Sequence, residues 1–245
     1  MRRVKRRTFA GVICEQEVYN VADAANVKTA RPPRPRFKTE EERARHRNEI
    51  SRRRWVNFVC ENFSPTSCYL TLTFDADNEC HDPQSCRQLM GRYIRRLRYR
   101  YPDAVIGAVF GQGKSTARFH IHMLSEGIPE DYLLAQWTYG QVRDCRHLRE
   151  HNFYNGVDHG QDYTALANYL FDHWQPEYGG HRYYLTRNAR KPERETPKEV
   201  KREYSENRPP RPPKGYMLVE ARSTPYGYHY FKYVRVPEKP GRKKT

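Results

Sequence analysis

The sequence predicts an α+β protein, an antiparallel sheet of about five strands with helices mainly on one face, carrying basic N- and C-terminal extensions. Three observations predict it. Runs of β-forming residues alternate with period two at 67–74, 104–110, 117–124 and 140–145. Longer stretches at 84–101 and 161–174 carry apolar residues at helical spacing. Their order is strand, helix, strand, strand, helix, strand, helix, which suits an antiparallel sheet with helices laid across it.

Residues 1–38 are basic, proline-punctuated and poorly periodic, ending in Arg31-Pro-Pro-Arg-Pro-Arg36. They read as a flexible basic arm. The main domain is expected over 39–178. It begins with a capping box, Thr39 to Glu42, that starts a helix running to about residue 61. The middle of that helix is dense in arginine, and Arg52, Arg53 and Arg54 are candidate nucleic-acid contacts; its end, Trp55, Val56, Phe58 and Val59, is apolar enough to dock. The run 67–74 is a central strand. The helix 84–101 places Leu89, Met90, Tyr93, Ile94, Leu97 and Tyr101 on one stripe and most of its arginines elsewhere. After the strand 104–110 comes Gly111-Gln-Gly-Lys-Ser115, whose residues suggest a phosphate-binding loop. Such a loop needs G-x-x-x-x-G-K-[ST] running into a helix. Here a strand follows, so the segment reads as a hairpin turn. A short helix at 129–137, a last strand at 140–145, a polar loop at 149–160 and the helix 161–174 complete the domain. Residues 179–245 form a basic, proline-rich segment and then a terminal hairpin, 215–220 with 226–236, in which Tyr228, Tyr230 and Tyr233 are expected mainly to pack.

A net charge of +16 with 19 tyrosines and only 37% hydrophobic residues points to a polyanionic partner. Basic side chains neutralise phosphates and aromatic faces stack on bases, so nucleic acid fits best. No long apolar run or signal sequence is evident, and a soluble, intracellular protein is expected. The six cysteines contain no C-x-x-C pair. That spacing gives little support to structural zinc and favours free thiols, buried or half-buried.

The histidine strand carries the chemistry. Alternation puts Arg118, His120, His122 and Leu124 on one side and Phe119, Ile121 and Met123 on the other. Two imidazoles at i and i+2 can share one metal ion. On the helix 161–174, at ~100° per residue, Tyr163, Leu166, Ala167, Leu170 and Trp174 form an apolar stripe. Tyr169 falls beside that stripe, next to Asp162 and His173, where its hydroxyl can face a polar cleft. A phenol facing a metal held by two histidines suggests attack on a phosphodiester, leaving a 5′-phosphotyrosine adduct and a free 3′-hydroxyl.

Phe119-His-Ile-His122 resembles the HUH motif of rolling-circle endonucleases, and Leu70-Thr-Leu-Thr-Phe74 resembles the strand that precedes it in replication initiators of small bacterial plasmids and single-stranded DNA phages. Leu166-Ala-Asn-Tyr-Leu170 is similar to their tyrosine motif. Asn62-Phe63, Trp137-Thr-Tyr-Gly140 and Arg187-Asn-Ala-Arg-Lys-Pro192 resemble further landmarks, so that the likeness runs in order from about 55 to 195. The resemblance implies a ferredoxin/RRM-like HUH endonuclease fold with Tyr169 as nucleophile and His120 and His122 as ligands of Mg²⁺ or Mn²⁺. The third ligand is Gln112, where many relatives carry Glu, or His173, four residues after the tyrosine. Asp172 stands where that motif often has Lys. Lys114, Arg118, Arg187, Arg190 and Lys191 join Arg52, Arg53 and Arg54 as expected nucleic-acid contacts. The implied activity is metal-dependent nicking and rejoining of a single-stranded, hairpin DNA origin in the bacterial cytoplasm. With no Walker motif in the chain, a separate host or viral helicase and polymerase would act beside it. Two other readings share these residues: a non-catalytic single-stranded nucleic-acid-binding protein that keeps the fold, and a single-tyrosine transposase of the same chemistry.

Overall fold

In the computed structural model, residues 1–32, 39–80, 82–113, 118–175, 181–224 and 227–237 are described. The chain divides into two units, one of Met1–Glu61, His151–Asp162 and Lys191–Thr245, the other of Asn62–Glu150 and Tyr163–Arg190.

Cross-strand charge pairing builds the start of the first unit. In β1 (Arg2–Ala10), Arg6 donates to Glu17 at 2.6 Å and Arg7 to Gln16 at 2.8 Å, both on β2 (Ile13–Val21). The two strands turn at Gly11, whose φ of +57° is left-handed, and a Cβ there would meet the Cys60 carbonyl oxygen at 1.9 Å. Only glycine fits such a position. Residues 2–21 are therefore a hairpin, where composition alone suggested a flexible arm. The arginines that hide the alternation are matched by partners elsewhere in the chain, as Arg6 is by Glu17 on β2 and Arg3 by Glu203. Residues 33–38 of the expected arm lie outside the described residues.

The helix α1 (Glu40–Asn62) starts where the capping box places it, with the Glu42 N–H donating to Thr39 Oγ1 at 3.2 Å. Trp55, Val56, Phe58 and Val59 are buried near its end. Chain segments far beyond it complete the sheet of this unit, residues 193–194 and 198–199 pairing with β1 and residues 229–234 with β2. The second unit has a sheet of its own.

In that unit β3 (Cys68–Thr73), β4 (Val105–Gln112), β5 (Phe119–Glu126) and β6 (Val142–His147) form an antiparallel sheet with the short β9 (Tyr184–Leu185), in the order β6-β3-β5-β4-β9. The helix α2 (Pro83–Arg100) is capped by Asp82, whose carboxylate accepts from Gln84 and Ser85. The short α3 (Glu130–Gln136) follows β5, and α4 (Thr164–Phe171) follows the small pair β7 (Phe153–Tyr154) and β8 (Val157–Asp158) of the first unit. Leu70, Leu72, Ile106, Ala108, Phe110, Ile121 and Met123 join Met90, Tyr93, Ile94, Leu97, Leu133 and Trp137 in one buried cluster. One sheet face is thus filled by α2 and α3.

The first unit is closed by β10 (Glu193–Arg194), β11 (Lys198–Glu199), β12 (Tyr216–Ser223) and β13 (His229–Arg235). The terminal hairpin expected from alternation is present, and β13 lies beside β2. The observed architecture is α+β, with antiparallel sheets of five and six strands. Among the described residues no helix is long and apolar enough to cross a membrane.

Candidate active site

The register of the five-stranded sheet decides which side chains meet. Opposite residues of antiparallel neighbours point to the same face. Thr71 and Val109 stand opposite His122, and Thr73 and Gly111 stand opposite His120. On the far side of β3, Tyr69 pairs with Arg146 and Thr71 with Asp144. The face turned away from the α2 and α3 core therefore carries both histidines, two threonines, Tyr69, Asp144 and Arg146.

The helix α4 delivers the rest. Asp172 caps it, and the His173 N–H donates to the Leu170 carbonyl at 3.2 Å, so a final tight turn carries His173 one step past the helix. The His173 ring lies 4.3 Å from that of His122 and 5.5 Å from that of His120, which are themselves 4.8 Å apart. One ring nitrogen from each of the three lies within 4.8 Å of the others. The Tyr169 ring is 4.4 Å from His173 and 5.7 Å from His122, and Tyr169 is 53% exposed. These residues line a cavity of about 1100 Å³ with Arg118, Arg143, Asp144 and Arg146.

Hydrogen bonds orient two of the imidazoles. His122 Nδ1 lies 2.8 Å from the Tyr69 hydroxyl and 3.2 Å from Thr71 Oγ1. His173 Nδ1 donates to the Tyr169 carbonyl at 2.8 Å. Each bond at Nδ1 leaves Nε2 as the outward nitrogen, the arrangement typical of metal-binding histidines. His122 Nε2 is buried and makes no hydrogen bond among the described residues. A buried ring nitrogen without a partner is costly. A cation in the triad would satisfy it. Burial, then the proximity of His173 and His120, pulls His122 down to about 3, and burial with His173 lowers His120 as well. Both rings are therefore neutral near pH 7, the form that donates to metals.

Gln112 is not part of this cluster. It stands opposite Phe119, a core residue, so its side chain leaves the sheet on the other face. The position facing His120 on β4 is Gly111, and His173 occupies the space above it: a Cβ on Gly111 would lie 2.7 Å from the His173 carbonyl oxygen and 2.9 Å from its Cβ. Of the two third ligands considered from sequence, the structure brings His173 to the pair. Tyr163 is core, as its helical position suggests, and donates to the Arg149 carbonyl at 3.0 Å. Asp162 precedes α4 and bonds His159 at 3.4 Å instead of lining Tyr169.

The expected nucleic-acid contacts separate. Arg53 is engaged internally, with Glu15 at 2.7 Å, Glu17 at 3.1 Å and the Tyr230 ring at 4.6 Å. Its charge is neutralised by two buried carboxylates, so it leaves the list of contacts. Arg54, Arg187, Arg190 and Lys191 are exposed, Arg52 is half-buried, and Arg118 is exposed beside Glu79 at 3.2 Å. Lys114 lies outside the described residues. Sequence reasoning missed Tyr69, Thr71, Asp144, Arg143 and Arg146. Their signal was present, since Tyr69 and Thr71 share one side of a recognised strand, but which side faced the histidines depends on register. No family model, curated protein or solved structure matches the chain.

Proposed function

We propose that this protein nicks and rejoins single-stranded DNA through Tyr169, as a rolling-circle replication initiator of the HUH type with its ferredoxin/RRM-like fold. The observation that carries the reading is Tyr169 beside His120, His122 and His173 in one arginine-edged cavity. A bound Mg²⁺ or Mn²⁺, the latter better matched to an all-imidazole donor set, would supply Lewis-acid polarisation of the scissile phosphate. Arg118, Arg143 and Arg146 neutralise the DNA backbone at the cavity and hold the strand in reach. The Tyr169 phenol gives up its proton and its oxygen attacks phosphorus. The bond from phosphorus to the 3′-oxygen breaks, and that oxygen takes a proton to become a free hydroxyl. The 5′-phosphate stays on Tyr169. No water is consumed, so a 3′-hydroxyl can reverse the step and reseal a strand. Exposed Arg54, Arg187, Arg190 and Lys191 add non-specific phosphate contacts. On this reading the substrate is a hairpin origin, and strand separation and synthesis belong to other proteins of the bacterial host or virus.

The test uses a pool of randomised single-stranded oligonucleotides labelled at the 3′ end, incubated with the full chain and Mn²⁺ and resolved on denaturing gels. A labelled band that migrates with the protein, lost with EDTA and in Tyr169→Phe but kept in Tyr163→Phe, is the expected result. Binding that EDTA leaves unchanged, with no adduct in any condition, favours a non-catalytic binding protein instead.

A further inference from the structure

A second cluster lies on the opposite face of the same sheet. The edge strand β6 pairs with β3 so that His147 stands opposite Cys68 and Cys145 opposite Leu70. All four share the face turned toward α2 and α3, while Asp144 and Arg146, one residue out of phase, face the Tyr169 cavity. The first turn of α3 adds Glu130. Cys68 Sγ is 3.9 Å from His147 Nδ1, and His147 Nε2 is 3.8 Å from Glu130 Oε2. Cys145 stands on the same face two residues before His147, diagonal to Cys68 across the β3–β6 ladder. One donor atom each from Cys68, Glu130 and His147 lies within 4.8 Å of the others.

We infer that Cys68, Cys145, His147 and Glu130 bind a zinc-class divalent cation at a structural site distinct from the histidine triad. Two sulfurs, one imidazole and one carboxylate are a closed four-coordinate donor set, in which neighbouring donors stand about 3.5 Å apart. Cys68 now meets Nδ1 and Glu130 meets Nε2 of the same ring, so binding requires the His147 ring to turn one nitrogen toward the ion. His147 and Glu130 have side chains that are 57% and 42% exposed, so both can turn inward and the ion can reach the site from solvent. Thiolates select zinc over Mg²⁺ or Mn²⁺, so the two sites take different metals. Binding releases the two thiol protons and joins three elements: β3, β6 and α3. Such a clamp has a clear use here. The β3–β6 ladder shifts register between Thr71 and Leu72, and among the described residues β6 has no neighbour on its outer side. Tying Cys145 and His147 down holds Asp144 and Arg146 in place on the cavity wall. The missing C-x-x-C spacing is explained by the strand, because Cys145 and His147 converge at i and i+2 and the third ligand comes from a neighbouring strand.

The experiment is cobalt substitution of the full chain, purified with reductant and without oxygen, stripped with chelator and reloaded with Co²⁺. Expected is a thiolate-to-cobalt charge-transfer band in the near ultraviolet that Zn²⁺ displaces. The band persists in the His122→Ala, His173→Ala double variant, which lacks the triad. It disappears in Cys68→Ser and in Cys145→Ser. Since the buried Cys68→Ser change can impair folding, His147→Ala, at a half-exposed site, is read beside it: far-ultraviolet circular dichroism stays native while Zn²⁺ affinity in a chelator competition falls at least tenfold. No band in natively folded wild-type chain, a band lost with the triad, or Zn²⁺ affinity unchanged in His147→Ala would each overturn the inference. Metal analysis of the triad double variant separates this site from the proposed nuclease activity, which that variant lacks either way.

Discussion

Replacing Gly111 by alanine perturbs the histidine triad without altering any of the three histidines. The new methyl group would lie 2.7 Å from the His173 carbonyl oxygen and 2.9 Å from its Cβ. Ordinary carbon contacts are at about 3.5–4.0 Å, so His173 must retreat by roughly 1 Å or β4 must yield. The strand is bonded on both sides, to β5 and β9, whereas His173 hangs on a single turn after α4. His173 therefore moves. Overpacking of this kind costs about 1–3 kcal/mol. Misplacing one of three donors by that distance lowers Mn²⁺ affinity on the order of 10–100-fold, and adduct formation by about 100-fold. Calorimetric titration of Mn²⁺ into the full chain reads the first effect and the denaturing-gel assay the second. Gly91→Ala is the control, because a Cβ on this α2 residue meets nothing within 4 Å. It should leave both readouts unchanged and raise stability by about 0.5–1 kcal/mol, as a helical glycine-to-alanine change does. Wild-type Mn²⁺ affinity and adduct rate in Gly111→Ala would refute the placement of His173 in the metal site.

Four other outcomes follow from the same structure. Tyr69→Phe removes the hydroxyl that orients His122 and should weaken Mn²⁺ binding by about 10-fold or more with little change in thermal unfolding. Arg53→Ala removes one cationic partner from each of the buried Glu15 and Glu17 and should cost about 3 kcal/mol in chemical denaturation; if it instead weakens DNA binding at unchanged stability, the arginine belongs with the DNA contacts after all. Arg54→Ala, at an exposed position, should leave unfolding within about 0.5 kcal/mol and flatten the salt dependence of single-strand binding by about 0.7 in log–log slope. Burial raises Glu17, but Arg53, Arg6 and Tyr228 together outweigh it and hold Glu17 below the usual carboxylate range. Its stabilising contribution is therefore complete above the unfolded value near 4.3 and is lost as pH falls through the lower folded value. Urea midpoints measured from pH 7 down to pH 3 should drop in that acid window, and less so in Glu17→Gln.

Local periodicity was enough to locate α2, β3, β4, β5 and the terminal hairpin, because each buries one face and writes that face into its own residues, while the capping box located the start of α1. It was also enough to separate Tyr163 from Tyr169 and to pair His120 with His122, since both questions concern one helix or one strand. β1 and β2 were illegible for the opposite reason. Their alternation is carried by arginines and glutamates whose partners, such as Glu203 for Arg3 and Tyr228 and Tyr230 for the β2 acids, come from the other end of the chain. Charge that is paired across 200 residues looks, locally, like charge meant for solvent.

The sequence by itself determined the α+β class, the histidine face and which of Tyr163 and Tyr169 is buried, all of which depend on contacts within a few residues. Tertiary structure alone decided which of Gln112 and His173 lies beside the two histidines. Register is set by pairing between strands, and a shift of one residue reverses every side chain. Gln112 stands opposite Phe119 and is turned away, Gly111 stands opposite His120 and makes room, and α4 brings His173 into that room. The same rule, applied to the other face of β6, gathers Cys145 and His147 with Cys68.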